Sequence, residues 1–188
     1  MSQSINELMW ATDMSDFIGL AILAIFPICM IFATFYDLFT MTIPNKITLV
    51  LLASFAVFAP LAGMGWETAL WHIGVAFMVL IVGFGLFSLG VMGGGDAKLL
   101  AASALWFGTA FTLPYLLAAS VLGGLLTLFI VIARRIMLPQ RLLNVAWIAR
   151  LLDKKQGIPY GAALGPAALY VFVGSPWMNY ITTGQSIG

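Results

Sequence analysis

The sequence predicts an all-α integral membrane protein with six transmembrane helices and both termini on the non-cytoplasmic side. Three observations carry this reading. The 188 residues are 62% hydrophobic and only 8% charged, whereas a soluble domain carries about a quarter charged residues. Apolar runs of spanning length recur along the chain, and mean hydropathy is +1.07. The charges between those runs segregate by sign. Eight basic and seven acidic side chains cannot cover a chain of this size in water. A net charge of +1 argues against an electrostatic nucleic-acid binder. The single cysteine, Cys29, excludes an internal disulfide or a Cys-rich zinc site, and the single histidine, His72, is too little for a histidine-based metal centre. No metal or cofactor is expected.

In chain order the runs are Phe17–Tyr36, Ile47–Gly65, Thr68–Met92, Leu99–Leu113, Pro114–Ala133 and Ile158–Gly174, compared with the about 17–25 residues that a crossing needs. The division between the fourth and fifth rests on Gly108 and Pro114. One unbroken helix over Leu99–Ala133 would overshoot a bilayer at about 1.5 Å per residue. If successive loops alternate sides, every Lys and Arg falls on one side: Lys46, Lys98, then Arg134, Arg135, Arg141, Arg150, Lys154 and Lys155. Glu7, Asp13, Asp16 and Glu67 fall on the other. The positive-inside rule makes the first side cytoplasmic. Trp10, Trp66, Trp71, Trp106 and Trp177 fall near the predicted outer boundary, where an amphipathic ring is favoured. No positive segment precedes the first span, so it reads as a retained helix rather than a cleaved signal. Residues 1–188 read as one domain. The longest loop, Arg134–Gly157, is basic, and its Arg141–Leu152 segment reads as a short helix on the cytoplasmic surface.

Two carboxyls stand out, because a charge beside hydrocarbon is expensive and marks a use. Asp37 ends the first span, and Asp96 follows three glycines, Gly93, Gly94 and Gly95. One glycine would suffice to stop a helix; three leave the carboxyl without neighbouring side chains and allow a tight turn. Ile43-Pro44-Asn45 opens the second span and Ile158-Pro159-Tyr160-Gly161 the sixth, each with a proline suited to a helix start. Gly83, Gly85, Ser88, Gly90, Gly161 and Gly165 permit close helix approach. Lys98, two residues past Asp96, reads either as a group that tunes the pair or as an interfacial anchor. His72 reads as a solvated or lipid-interface side chain far from the pair, and Cys29 as core.

Taken in order, Asp37 with Ile43-Pro44-Asn45, then Gly93-Gly94-Gly95-Asp96-Ala97-Lys98-Leu99, then Ile158-Pro159-Tyr160-Gly161 closely resemble the motifs of bacterial prepilin peptidases, six-span membrane aspartic proteases of the GxGD type. The resemblance implies that Asp37 and Asp96 are the catalytic pair. It implies a prepilin or pseudopilin precursor as substrate, cut to remove its short basic leader at the cytoplasmic face of the bacterial inner membrane. Larger members of that family carry a cytoplasmic insert with paired CxxC motifs and an N-methyltransferase activity. This chain lacks the insert and resembles the short form that serves Flp (tight-adherence) pili. Two other readings compete. Tyr36-Asp37 and Gly93-Gly94-Gly95-Asp96 also resemble presenilin-like proteases, although there the two aspartates sit on successive spans. A small proton-coupled transporter or pilus assembly subunit would use the same acids, but transport sites prefer the bilayer midplane.

Overall fold

The computed structural model describes residues 2–136, 139 and 144–187, with side chains from residue 15 onward. These residues form helices and no strand: α1 (Ser2–Thr40), α2 (Asn45–Leu61), α3 (Trp66–Ser88), α4 (Gly94–Ala133), α5 (Ala146–Leu152), α6 (Gly161–Phe172) and α7 (Pro176–Thr183). Three segments are long and apolar enough to cross a membrane: Ser15–Thr40 of α1, α3 and α4. Large apolar side chains such as Phe17, Ile28, Phe77, Phe84 and Phe129 point outward. An apolar surface of that extent has no stable place in water, and the chain is read as a multi-pass membrane protein.

Helix ends depart from the expected spans for local reasons. The second span stops at Leu61 and the third at Ser88. In each case a glycine with positive φ, Gly63 (74°) or Gly90 (73°), closes the helix. Met64 N–H bonds Ala59 O and Val91 N–H bonds Leu86 O, the long return bond of a glycine-terminated helix. The sixth span is also shorter than expected. Only Gly161–Phe172 is helical there, 12 residues, which is about 18 Å against about 30 Å of hydrocarbon. Ser175 precedes Pro176 and is held out of the helical region, with ψ at 161°. Its hydroxyl bonds Phe172 O at 2.7 Å. The chain then turns into α7, which packs Ile181 against Gly19 of α1. The surface helix expected at Arg141–Leu152 is observed as α5, Ala146–Leu152; residues 141–143 lie outside the described ones, as do the side chains of Glu7, Trp10 and Asp13.

The 40-residue α4 is two helices joined at Gly108, whose φ of 60° and ψ of −161° no helix accommodates. The halves fold back on one another. Leu100 and Ala119 line one cavity, although 19 positions of straight helix would set them about 28 Å apart. The Phe107 and Tyr115 rings lie 5.0 Å apart. The break frees the last carbonyls of the first half from their helical partners, a costly state in an apolar setting. Side chains replace those partners. Thr112 Oγ1 donates to Ala104 O (3.4 Å) and Gly108 O (2.6 Å). His72 Nδ1 bonds Leu105 O at 2.7 Å, and Trp177 Nε1 donates to Trp106 O at 2.6 Å.

Around these caps sits the aromatic core. Phe26 stacks on Phe172 at 4.7 Å, and Trp106 meets Trp177 at 4.6 Å. Two expectations are corrected here. His72 is buried against Phe55 and Gly108 rather than solvated or facing lipid. Trp106 and Trp177 are fully enclosed, while Trp66 and Trp71 are exposed as interfacial rings would be. Trp106 and Trp177 each have an N–H to satisfy, and the core offers carbonyls at Leu51 and Trp106.

Replacing Gly108 by Ala should therefore destabilise the fold. A positive φ with ψ near 180° is open essentially to glycine alone and costs a side chain about 1–3 kcal/mol, and the new methyl would collide with the His72 ring. Thermal unfolding followed by circular dichroism in detergent should show a lower midpoint for Gly108→Ala. Gly74→Ala, where a Cβ meets nothing within 4 Å, should not move it. Equal midpoints would contradict this account of the break.

Candidate active site: two carboxyls at helix ends

Asp37 lies in the last turn of α1 and is 3% exposed. The helix closes just beyond it, where Met41 adopts φ 55° and its N–H bonds Asp37 O at 2.7 Å. Asp96 is the third residue of α4 and is 7% exposed. From that position its side chain reaches back toward the Gly93 N–H at the helix start, as an acidic residue in a capping box does. The positive end of the α4 dipole favours its charge.

The glycines beside Asp96 serve three different contacts. A Cβ on Gly93 would sit 2.7 Å from Asp96's own Oδ2. On Gly94 it would press on the Phe87 ring, at 3.3 Å, and on Gly95 it would stand 3.1 Å from Ile43 Cβ. Ile43 reaches Gly161 as well, where a Cβ would lie 2.7 Å from its Cδ1 and 2.9 Å from Asp37 Oδ2. The loop between α1 and α2 thus drives one isoleucine between two glycines, and both glycines border the carboxyls.

Gly161 lies against Asp37. It is the first residue of α6, and a Cβ on it would stand 2.9 Å from Asp37 Oδ2 and 3.0 Å from Asp37 Cβ. The two carboxyls interact electrostatically with each other. A helix N-terminus beside an acid favours negative charge there. Asp37 Oδ2 and Asp96 Oδ1 remain buried without a hydrogen-bond partner among the described residues. Such an atom is expensive to leave unpaired and is free to bind a reactant.

The remaining predicted residues scaffold this centre or lie beside it. Lys98 turns from the pair, its Nζ donating to Asn45 Oδ1 at 3.2 Å and tying α4 to α2. Pro44 caps α2 one position before the helix rather than lying in its first turn. Pro159 is buried two positions before α6, and Ile158 is half-buried beside it. Tyr160 is the α6 cap. Of the small residues expected to let helices approach, Gly83 meets Ala97, Gly161 meets Asp37, and Gly165 meets Met30 O and Thr34 Oγ1. Gly85 and Gly90 meet nothing, and Ser88 is exposed. Two basic residues secure the approach of α6: Arg134 donates to the carbonyls of Leu151, Gln156 and Gly157, and Arg150 donates to Phe39 O at the α1 end. Sequence reasoning did not find the Gly161 contact or the Ile43 wedge, since neither residue type carries a chemical signature by itself.

A family model described as the type IV leader peptidase family matches residues 24–128, more than half of the chain. The chain belongs to the type IV leader peptidase family. The matched segment contains Asp37, Ile43-Pro44-Asn45 and Gly93 through Lys98, and stops before Ile158-Pro159-Tyr160-Gly161. Among curated proteins and among solved structures, nothing matches. For a leader peptidase the geometry at Gly161 makes a sharp demand. Gly161→Ala should lower leader cleavage by about tenfold or more, since the methyl would lie within 3.0 Å of Asp37 and Ile43 atoms and a misplacement of about 1 Å is that damaging in an active site. Gly157→Ala, with open space around it, should cleave normally in a gel-shift assay. Equal cleavage by both variants would remove Gly161 from the site.

Proposed function

We propose that this leader peptidase is an aspartic endopeptidase in which Asp37 and Asp96 form the catalytic pair, and that it removes the basic leader from Flp-type prepilins at the cytoplasmic membrane face. The observation that carries the proposal is that two buried carboxyls, 59 positions apart in sequence, flank one residue, Ile43, which packs against Gly95 beside Asp96 and against Gly161 beside Asp37, and that each keeps an oxygen without a partner.

Peptide hydrolysis requires an activated water and a protonated leaving amine. Two close carboxyls cannot both ionise easily, so they hold one proton between them. The ionised member takes a proton from water while the protonated member polarises the scissile carbonyl. The proton taken from water then passes through the pair to the leaving nitrogen. The unpartnered oxygens, Asp37 Oδ2 and Asp96 Oδ1, are the atoms suited to face water and substrate. The α6 N-terminus beside Asp37 favours charge on that carboxyl.

Two features support action at the cytoplasmic face, with six crossings and both termini outside. Lys98, Arg134 and Arg150 gather around the helix ends that carry the carboxyls, as their contacts with Asn45, the 151–157 segment and Phe39 indicate, and Lys46 follows Asn45 at the start of α2. The reversal at Gly108 supports reading the α4 run as two passes. A basic leader stays in the cytoplasm while the apolar helix behind it partitions into the bilayer, so the junction arrives at the depth of the pair.

Asp37→Asn and Asp96→Asn should each lower processing of a co-expressed pilin precursor by about 10³-fold or more, and the double variant should be no worse than either. Membrane fractionation should show all three inserted. Near-normal turnover by any of them would sink the dyad. Shifting the cleavage junction one helical turn into the precursor's apolar helix should nearly stop cleavage, because the bond then lies about 5 Å deeper. Lengthening the leader at its far end should have little effect. Equal cutting of the deep-shifted precursor would remove the site from the boundary.

A further inference from the structure

A cleft of about 430 Å³ opens between α2 and α3. The two helices follow each other in the chain yet scarcely touch; each packs on α4 instead. Thr48 and Leu52 line the cleft from α2 and Leu80 from α3, and Ala101 and Ala102 of the first half of α4 are its floor. Lys98 stands at one end, about one turn before that floor.

That end is polar, and its groups are donors with capacity to spare. Lys98 Nζ carries three protons and gives one to Asn45 Oδ1. The Asn45 amide N–H groups and the Thr48 hydroxyl have no partner among the described residues. Thr34 and Thr127 each bond the carbonyl four positions back; Thr48, half-buried in the cleft wall, does not. Lys46, beside Asn45, is exposed and adds positive charge. No carboxylate pairs with Lys46 or Lys98 among the described residues.

An apolar cleft with cationic donors at one end matches an amphiphile with an anionic head. Asp96 stands two positions before Lys98 and so falls on the opposite face of α4. A precursor helix lying in this cleft would therefore be turned away from the carboxyl pair. A choline or ethanolamine head brings a cation of its own, for which this end offers no counter-charge.

The geometry points to a binding site for one anionic phospholipid. Its phosphate rests on Lys98, Asn45 and Thr48, and one acyl chain lies between α2 and α3 over Ala101 and Ala102. Bound there, the lipid ties the start of α2 to α4. Asn45 follows Pro44 and Ile43, and Ile43 is the residue seated between Gly95 and Gly161. The same tie steadies the segment that packs behind the carboxyls.

The test uses the full chain, purified in a neutral detergent and stripped of lipid. It is titrated with phosphatidylglycerol, phosphatidylcholine or inorganic phosphate while thermal unfolding is followed by circular dichroism. Phosphatidylglycerol should raise the midpoint by about 3 °C or more, and the other two by less than about 1 °C. Thr48→Val and Lys98→Gln should each lose most of the rise. Lys154→Gln, which removes the same charge from the connection between α5 and α6, should keep it. In a second arm, phosphatidylglycerol with a diazirine in its acyl chain is photolysed on the protein. Residues 48–52, 76–80 and 98–105 should be labelled about fivefold more than 125–132, an exposed apolar stretch of α4. An equal rise with phosphatidylcholine, a rise retained by either Thr48→Val or Lys98→Gln, or an equal loss in Lys154→Gln would overturn the site. A rise given by inorganic phosphate alone would remove the acyl chain from it. Even labelling along the apolar helices would reduce the cleft to ordinary contact with the bilayer. Labelling displaced by a precursor's apolar segment would assign the cleft to the precursor instead.

Discussion

A carbonyl released from a helix inside a packed apolar core finds no water, and this constraint governs the architecture around Gly108. The break is useful only because three elements supply donors to it: Thr112 from beyond the break, His72 from α3 and Trp177 from α7. Each donor belongs to a segment that must already be in place. The same bonds that satisfy the first half of α4 therefore fix α3 and α7 around it. They also let the second half return along the first, carrying Tyr115 to Phe107 and Gly123 to Tyr160. The aromatic core at this end is thus a consequence of polar satisfaction as much as of apolar burial.

At the opposite end the governing quantity is space. Asp37 and Asp96 come from helix ends far apart in sequence, and their meeting depends on four missing side chains. Gly93 leaves room for a carboxyl, Gly94 for the Phe87 ring, and Gly95 and Gly161 for Ile43. Arg134 and Arg150 fasten the connection that delivers α6. Electrostatics then acts on a geometry that steric fit has set, with the α6 N-terminus placed against Asp37.

Much of this is legible in the sequence, for identifiable reasons. An acid at the end of an apolar run is costly enough to announce itself, so Asp37 and Asp96 stand out from the residue pattern alone. The helical class and the division of the fourth and fifth runs follow from length and from Gly108. That Asp37 pairs with Asp96 comes from motif resemblance, since no local pattern encodes a contact across 59 positions. The glycine run is readable as room, but not as room for three particular neighbours. His72 is misplaced by sequence reasoning because a lone histidine near a predicted boundary looks the same whether it faces lipid or caps a broken helix. The sixth run reads as longer than the helix it forms because hydropathy does not register the stop that Ser175 and Pro176 impose.

The lateness of Gly161 in the chain has a consequence during synthesis. Asp37 and Asp96 leave the ribosome well before Gly161, and the α6 end that packs against Asp37 is made after both. A nascent chain ending after α4 holds both acids but lacks the α6 end that packs against Asp37 and Ile43. Under the proposed mechanism the pair is then incomplete, and the order of translation would itself delay the peptidase until α6 has docked.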